Sequence, residues 1–118
     1  AIAAAKLGAE EVFACDTDSD SVTIARENAL LNETGWIEFA EGSIEADGRE
    51  YDFVIANLTV DVIVAMLGLL VEKTRSVLLL SGILSEQQNI IVSALEKFQF
   101  KKVEIDRSGE WISVVATK

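Results

Sequence analysis

The segment "YDFVIANLTVD", Tyr51 to Asp61, limits the folds open to this chain more than any other. Phe53, Val54, Ile55 and Ala56 form an unbroken apolar run, which predicts a strand buried on both faces, as in parallel sheets covered by helices. The run stops at Asn57. Behind it, Thr59 can cap a helix whose apolar stripe is Val60, Ile63, Val64, Leu67, Leu70 and Val71. Asn57 itself has two readings. An Asn propagates strands poorly and suits turns, so it can simply end the strand. It can also face a ligand at the carboxyl edge of a parallel sheet, where such folds bind their ligands. Position alone leaves both open.

The same alternation extends along the chain. Residues 1–7, "AIAAAKL", read as the tail of a helix stopped by Gly8. "EVFACD" (11–16) reads as a buried strand. Ser19 or Asp20 then caps a helix carrying Val22, Ala25 and Ala29, which fades around Asn32 and Gly35. "WIEFAEG" (36–42) alternates as an edge strand does, and "EGSIEADGRE" reads as a polar loop. "SVLLLSGIL" (76–84) predicts another fully buried strand, interrupted by Gly82. Ser85-Glu86-Gln87-Gln88 matches a capping box, and Ile91, Leu95 and Phe98 supply the buried face of the helix behind it. "KKVEID" and "WISVVAT", separated by Arg107 to Glu110 around Gly109, predict a terminal hairpin. The sum is one α/β domain: a doubly wound, mostly parallel, Rossmann-like sheet closed by a C-terminal antiparallel pair.

A chain of 118 residues fits a single domain with a substantial core. No apolar run approaches the ~20 residues that cross a bilayer, so the expectation is a soluble protein. Cys15 is the only cysteine, so there is no intramolecular disulfide, and "VFAC" suggests a buried strand thiol. Without any histidine, a His-based zinc site or a Ser-His-Asp triad has nothing to build on. Chemistry must rest on carboxylates, amides, hydroxyls or a bound cofactor. The formal net charge of −10 disfavours nonspecific nucleic-acid binding and suits a basic protein partner, although most such charges simply solvate helix faces.

"DTDSDSVTIARE" (16–27) places Asp16, Asp18, Asp20 and Glu27 at calcium-loop positions one, three, five and twelve. Position six, however, is Ser21 where a sharp turn needs Gly, and a strand precedes the loop where a helix should. Asp16 is better explained by its place at the end of a buried parallel strand. A carboxylate there can accept hydrogen bonds from both hydroxyls of a cofactor ribose. In such sheets the preceding helix begins at a Gly-rich loop, which here would lie upstream of Ala1. Asp16 and Asn57, at the ends of two buried strands, suggest a site more than two turns. They do not separate hydride transfer from methyl transfer; the terminal hairpin is typical of the methyltransferase version of this sheet.

"AIAAAKLGAEEVFACDTDSDSVTIARENALLN", "VIANLTVDVI", "LLLSGILSEQ" and "GEWISVV" stand in the order and spacing of the bacterial ribosomal protein L11 methyltransferases, which the chain resembles over essentially its whole length. The most specific pieces are "VIANL", "LSGIL" and "GEW". The resemblance implies S-adenosylmethionine as cofactor, and methylation of lysine side chains and the N-terminus of a large-subunit ribosomal protein in the cytoplasm. By the same match Asp16 binds the ribose hydroxyls and Asn57 stands beside the transferred methyl. Gly42 and Ser43 fall close to the adenine, although Ser43 is equally suited to being a loop residue.

The chain departs from the family at "DTDSDS", where a proline usually follows the acids, and at "EKTRSV", where a Pro-Gly-Gly turn is usual. It also lacks the family's first strand, Gly-rich loop and N-terminal substrate domain. The expectation is therefore the C-terminal part of the enzyme, inactive alone. The absent strand would lie between those ending at Asp16 and Asn57, leaving open strand edges that invite self-association. Rival readings are another amino-methyltransferase of this fold, a non-catalytic remnant, and a nicotinamide-binding domain, the last disfavoured by the hairpin.

Overall fold

The computed structural model describes residues 1–118, which form two compact units, Ala1–Glu45 and Ala46–Lys118. In the first, α1 (Ile2–Lys6) is followed by β1 (Phe13–Asp16), α2 (Ser19–Leu31) and β2 (Glu38–Glu41). Gly8, at φ +106°, turns the chain out of α1 in the left-handed conformation that Gly adopts without penalty. β1 and β2 pair in parallel, from Phe13 opposite Glu38 to Asp16 opposite Glu41. Both strands are shorter than their apolar patterns predict. Cys15 is half-buried, not fully buried.

The cap of α2 is neither Ser19 nor Asp20 but Asp18, whose carboxylate accepts the Asp20 N–H at 3.1 Å and the Ser21 hydroxyl at 2.9 Å. Asp reaches a free N–H of the first turn more readily from one residue outside the helix than from within it. Val22 and Ala29 are buried, and Arg26 ties the helix to β2 through a 3.0 Å hydrogen bond to the Phe39 carbonyl.

The second unit contains β3 (Tyr51–Asn57), α3 (Val60–Lys73), β4 (Thr74–Leu84), a 3-10 turn at Ser85–Gln87, α4 (Gln88–Leu95), β5 (Lys102–Ser108) and β6 (Trp111–Thr117). The strands lie in the order β3-β4-β6-β5. β3 and β4 are parallel, whereas β6 is antiparallel to both β4 and β5, so the sheet is mixed, its antiparallel pairs all made by the C-terminal hairpin. The core joins Ile63, Leu67 and Leu70 of α3, Ile91 and Leu95 of α4, Leu78, Leu80 and Ile83 of β4, and Ile112, Val114 and Ala116 of β6.

β3 is not buried on both faces. Ala56 is buried, but Phe53 and Ile55 are 69% and 62% exposed. Successive side chains of a strand point to opposite faces, and α3 covers the face of Ala56 only. An unbroken apolar run shows that both faces tolerate apolar residues; it does not show that both are covered. β4 likewise alternates, with Val77, Leu79 and Ser81 half-buried. In α3 the buried stripe includes Lys73 and excludes Val64, which is 40% exposed.

α3 passes into β4 without a loop, since Thr74 follows Lys73 directly. The Thr74 hydroxyl donates to the Leu70 carbonyl at 2.7 Å, and the buried Lys73 ammonium meets Asp47 at 2.6 Å. The predicted capping box is displaced by one residue. Gln87, not Gln88, accepts the backbone N–H of Leu84 at 3.1 Å, and Leu84 has no side-chain acceptor to complete the pair. α4 ends before Phe98, which is half-buried. The hairpin is tighter than expected. β5 includes Arg107 and Ser108, and the turn is Gly109-Glu110, with Gly109 at φ +62°.

Candidate functional site

Asn57 is the last residue of β3, opposite Ser81 of β4. The ladder continues one step further, where Leu58 N–H donates to the Ser81 carbonyl at 3.2 Å. At this level β4 carries an irregularity. Its register with β6 runs from Leu80 opposite Val114 to Ile83 opposite Ile112, so it shifts across Ser81 and Gly82. Gly82 sits at φ +81°, and a β-carbon there would lie 2.6 Å from the Asn57 side-chain oxygen and 2.8 Å from the Leu58 carbonyl oxygen. Glycine is needed twice over, for its backbone angle and for the approach of the β3–α3 connection.

Side chains of the same sheet face extend the site across the unit. Asn57 faces Ser81, and Ser113 of β6 pairs with Asp106 of β5. With Leu58, Thr59, Val62, Gly82, Ser108, Trp111 and Ile112, these four residues line a cavity of about 770 Å³. That volume falls within the range of small-molecule sites. None of the side chains of Asn57, Thr59, Ser81, Asp106, Ser108 and Ser113 is engaged in a hydrogen bond or ion pair within the protein. Thr59 stands at the N-cap of α3 without accepting a cap hydrogen bond, so its hydroxyl too is uncommitted. A turn residue normally spends its amide on nearby backbone; Asn57 does not.

The other predicted residues lie in the first unit. Asp16 ends β1, at the carboxyl edge of the parallel pair, and its Oδ1 accepts the Asp18 N–H at 2.9 Å. The Gly42 N–H donates to the Asp16 carbonyl at 2.7 Å, so the turn leaving β2 is tied to the end of β1. Ser43, exposed, follows immediately. Asp16 and Ser43 therefore share one strand edge, with one carboxylate oxygen of Asp16 left for a ligand. Asp18 and Asp20 do not join them: Asp18 is the helix cap, and Asp20 lies within the first turn of α2. The run of acids is accounted for by capping.

The sequence pattern does not single out Asp106, Ser108, Trp111 or Ser113 as site residues. The signal was Ser113, a hydroxyl inside the apolar strand "WISVV". It is intelligible only with the register that sets it opposite Asp106.

The sequence model of the family described as ribosomal protein L11 methyltransferase (PrmA) matches residues 1–118. The ribosomal protein L11 methyltransferase of Geotalea daltonii is 38% identical over 113 residues, 93% of this chain and 36% of that protein. Its counterpart in Campylobacter lari is 37% identical over 119 residues, 97% of this chain and 41% of that protein. The chain thus spans well under half the length of these curated relatives. The crystal structure of a ribosomal protein L11 methylase from Lactobacillus delbrueckii subsp. bulgaricus superposes with a TM-score of 0.86 at 32% identity, covering 98% of this chain and 61% of that one. An RNA methyltransferase from Salinibacter ruber, solved with S-adenosyl-L-homocysteine, shares the fold at a TM-score of 0.72 and 19% identity, over 98% of this chain and 71% of that one.

Proposed function

This chain belongs to the ribosomal protein L11 methyltransferase family, and from that premise we propose that it forms part of a class I domain transferring methyl groups from S-adenosylmethionine to amino groups of a large-subunit ribosomal protein. In this reading both units belong to one domain of a longer bacterial enzyme acting in the cytoplasm. The observation that carries it is the uncommitted amide of Asn57, held against Gly82 at the carboxyl end of β3 and opening on the cavity.

The residues present fit the cofactor. Asp16 retains a carboxylate oxygen for the ribose hydroxyls, and the tied Gly42-Ser43 turn offers a surface for the adenine. When bound, S-adenosylmethionine supplies an activated methyl group on a sulfonium. The chain's own residues supply position. The Asn57 amide oxygen accepts an N–H of the incoming amine and aims its lone pair. The amine must be neutral to attack, whereas a free lysine has a pKa of ~10.4. These 118 residues contain no histidine, so the proton leaves to water or to a group elsewhere in the enzyme.

The net charge of −10 favours a basic polypeptide over a nucleic acid as substrate. The free edge of β3, with Phe53 and Ile55 exposed, supports self-association wherever nothing else covers it. The direct test is transfer of labelled methyl from S-adenosylmethionine by the complete product of the gene, with ribosomal protein L11 and ribosomal RNA offered in parallel. Label on lysine or the N-terminus of the protein supports the reading, and label on RNA alone overturns it.

A further inference from the structure

The cavity beside Asn57 has one charged wall. Asp106 is the only ionisable group lining it, no lysine or arginine does so, and no ion pair or hydrogen bond engages the Asp106 carboxylate. Its sequence neighbour Arg107 turns away, with Nε donating to the Gly109 carbonyl at 3.1 Å. Across the hairpin, Asp106 pairs with Ser113 and Ser108 pairs with Trp111, so carboxylate, hydroxyls and indole come from one stretch of ladder. Trp111 is 53% exposed although it lines the cavity. Leu58, Val62 and Ile112 complete the apolar part of the lining.

From this arrangement we infer that the hairpin end of the cavity selects the acceptor: Asp106 is the counter-charge for an alkylammonium head, and Trp111 is the wall for its aliphatic stem. The inference rests on the methyl-transfer reading and adds to it the residues that meet the acceptor side chain. A flat uncharged base can offer this carboxylate an exocyclic N–H but no opposite charge, and a phosphate-bearing substrate would be repelled by it. A lysine side chain matches both ends, since its stem packs on apolar or aromatic surface while its ammonium is attracted by the indole face and by a carboxylate. Asp106 recruits the cation. Asn57 orients the amine after the proton has left. The two tasks fall to different residues at different places in the same cavity.

The experiment uses the complete gene product with S-adenosylmethionine and ribosomal protein L11. Asp106→Asn should raise KM for the protein roughly 10-fold, the loss expected for one charge-assisted hydrogen bond, while kcat stays within about threefold. Asp106→Glu should restore most of the loss. The KM of the Asn variant should also lose part of its dependence on salt, a change that a merely structural defect would not produce. A second measurement needs no turnover. In a background with Trp36→Phe and any tryptophan elsewhere in the gene product likewise replaced by Phe, so that Trp111 is the indole observed, titration with N-acetyl-lysinamide should change the fluorescence saturably, and Asp106→Asn should weaken that response. An unchanged KM and an unchanged titration in Asp106→Asn, with active wild type, overturn this inference alone. Wild type that methylates no protein amine overturns the parent reading and this one with it.

Discussion

The side-chain oxygen of Asn57 lies 2.6 Å from the point that a β-carbon would occupy on Gly82. Two strands thus approach so closely at their carboxyl ends that one residue must lack a side chain for the other to hold its amide in place. Gly82→Ala should therefore act on Asn57 without touching its chemistry. The backbone at φ +81° adds roughly 1–2 kcal/mol of strain for a residue with a β-carbon. The contact with the Leu58 carbonyl forces the connection outward. Thermal melts should show the destabilisation, and methyl transfer should fall on the order of 100-fold, as when a reacting group is misplaced by about an ångström. Full turnover in a destabilised variant would mean that the close approach serves packing alone.

Asn57 can be tested directly. Asn57→Ala should lower turnover by ~10- to 1000-fold, by analogy with loss of one positioned polar group. Stability should change little, since the amide has no protein partner to lose. Asn57→Asp keeps the shape but places a carboxylate beside a sulfonium, so cofactor affinity should hold or rise while turnover falls. Near-normal turnover in both variants would leave Asn57 as a strand terminator.

Asp16 and Asp18 stand two residues apart and should separate cleanly. Asp16→Ala should weaken S-adenosylmethionine binding by ~1.5–3 kcal/mol, the range for hydrogen bonds to a charged group. Asp18→Ala should instead cost ~0.5–2 kcal/mol of stability through loss of the α2 cap, with much less effect on binding. Asp20→Ala should do little to either. Calorimetry and melts on the three variants give the comparison, and equal binding losses for all three would remove Asp16 from the ribose site.

The pair of Asp47 and Lys73 makes a pH prediction. Its hydrogen bond from the buried Lys73 ammonium, helped by the Arg49 backbone N–H, holds the Asp47 carboxyl below its ordinary pKa. A depressed folded-state pKa contributes stability that is present above the unfolded value and lost as pH falls through the folded one. The wild type should therefore lose stability as pH falls from the ordinary aspartate range, around 4, downward. Asp47→Asn should be less stable at neutral pH, because it leaves the Lys73 charge buried without its counter-ion, and should show a flatter acid limb. Parallel acid limbs in the two proteins would show that the pair does not contribute.

The order of elements, the strand ends at Asp16 and Asn57, the stop at Gly8 and the terminal hairpin were legible in the sequence by itself. Each rests on local chemistry: the period of apolar side chains, the left-handed preference of Gly, and the poor strand propagation of Asn and Asp. The family resemblance was legible for a related reason, since "VIANL", "LSGIL" and "GEW" are contiguous words. Which of Ser19, Asp20 and Asp18 caps α2 was not, because one-residue shifts at a helix end leave the apolar period unchanged and only the hydrogen bonds decide. The exposure of Phe53 and Ile55 was decided by which face of β3 the helices cover, and that depends on residues far away in sequence. The cavity depended most on tertiary structure. Asn57, Gly82, Asp106 and Trp111 are distant in the chain, and it is the ladder registers of β3 with β4, of β4 with β6 and of β5 with β6 that bring them to one face. Registers are set by long-range pairing, so the chemistry they assemble has no local signature.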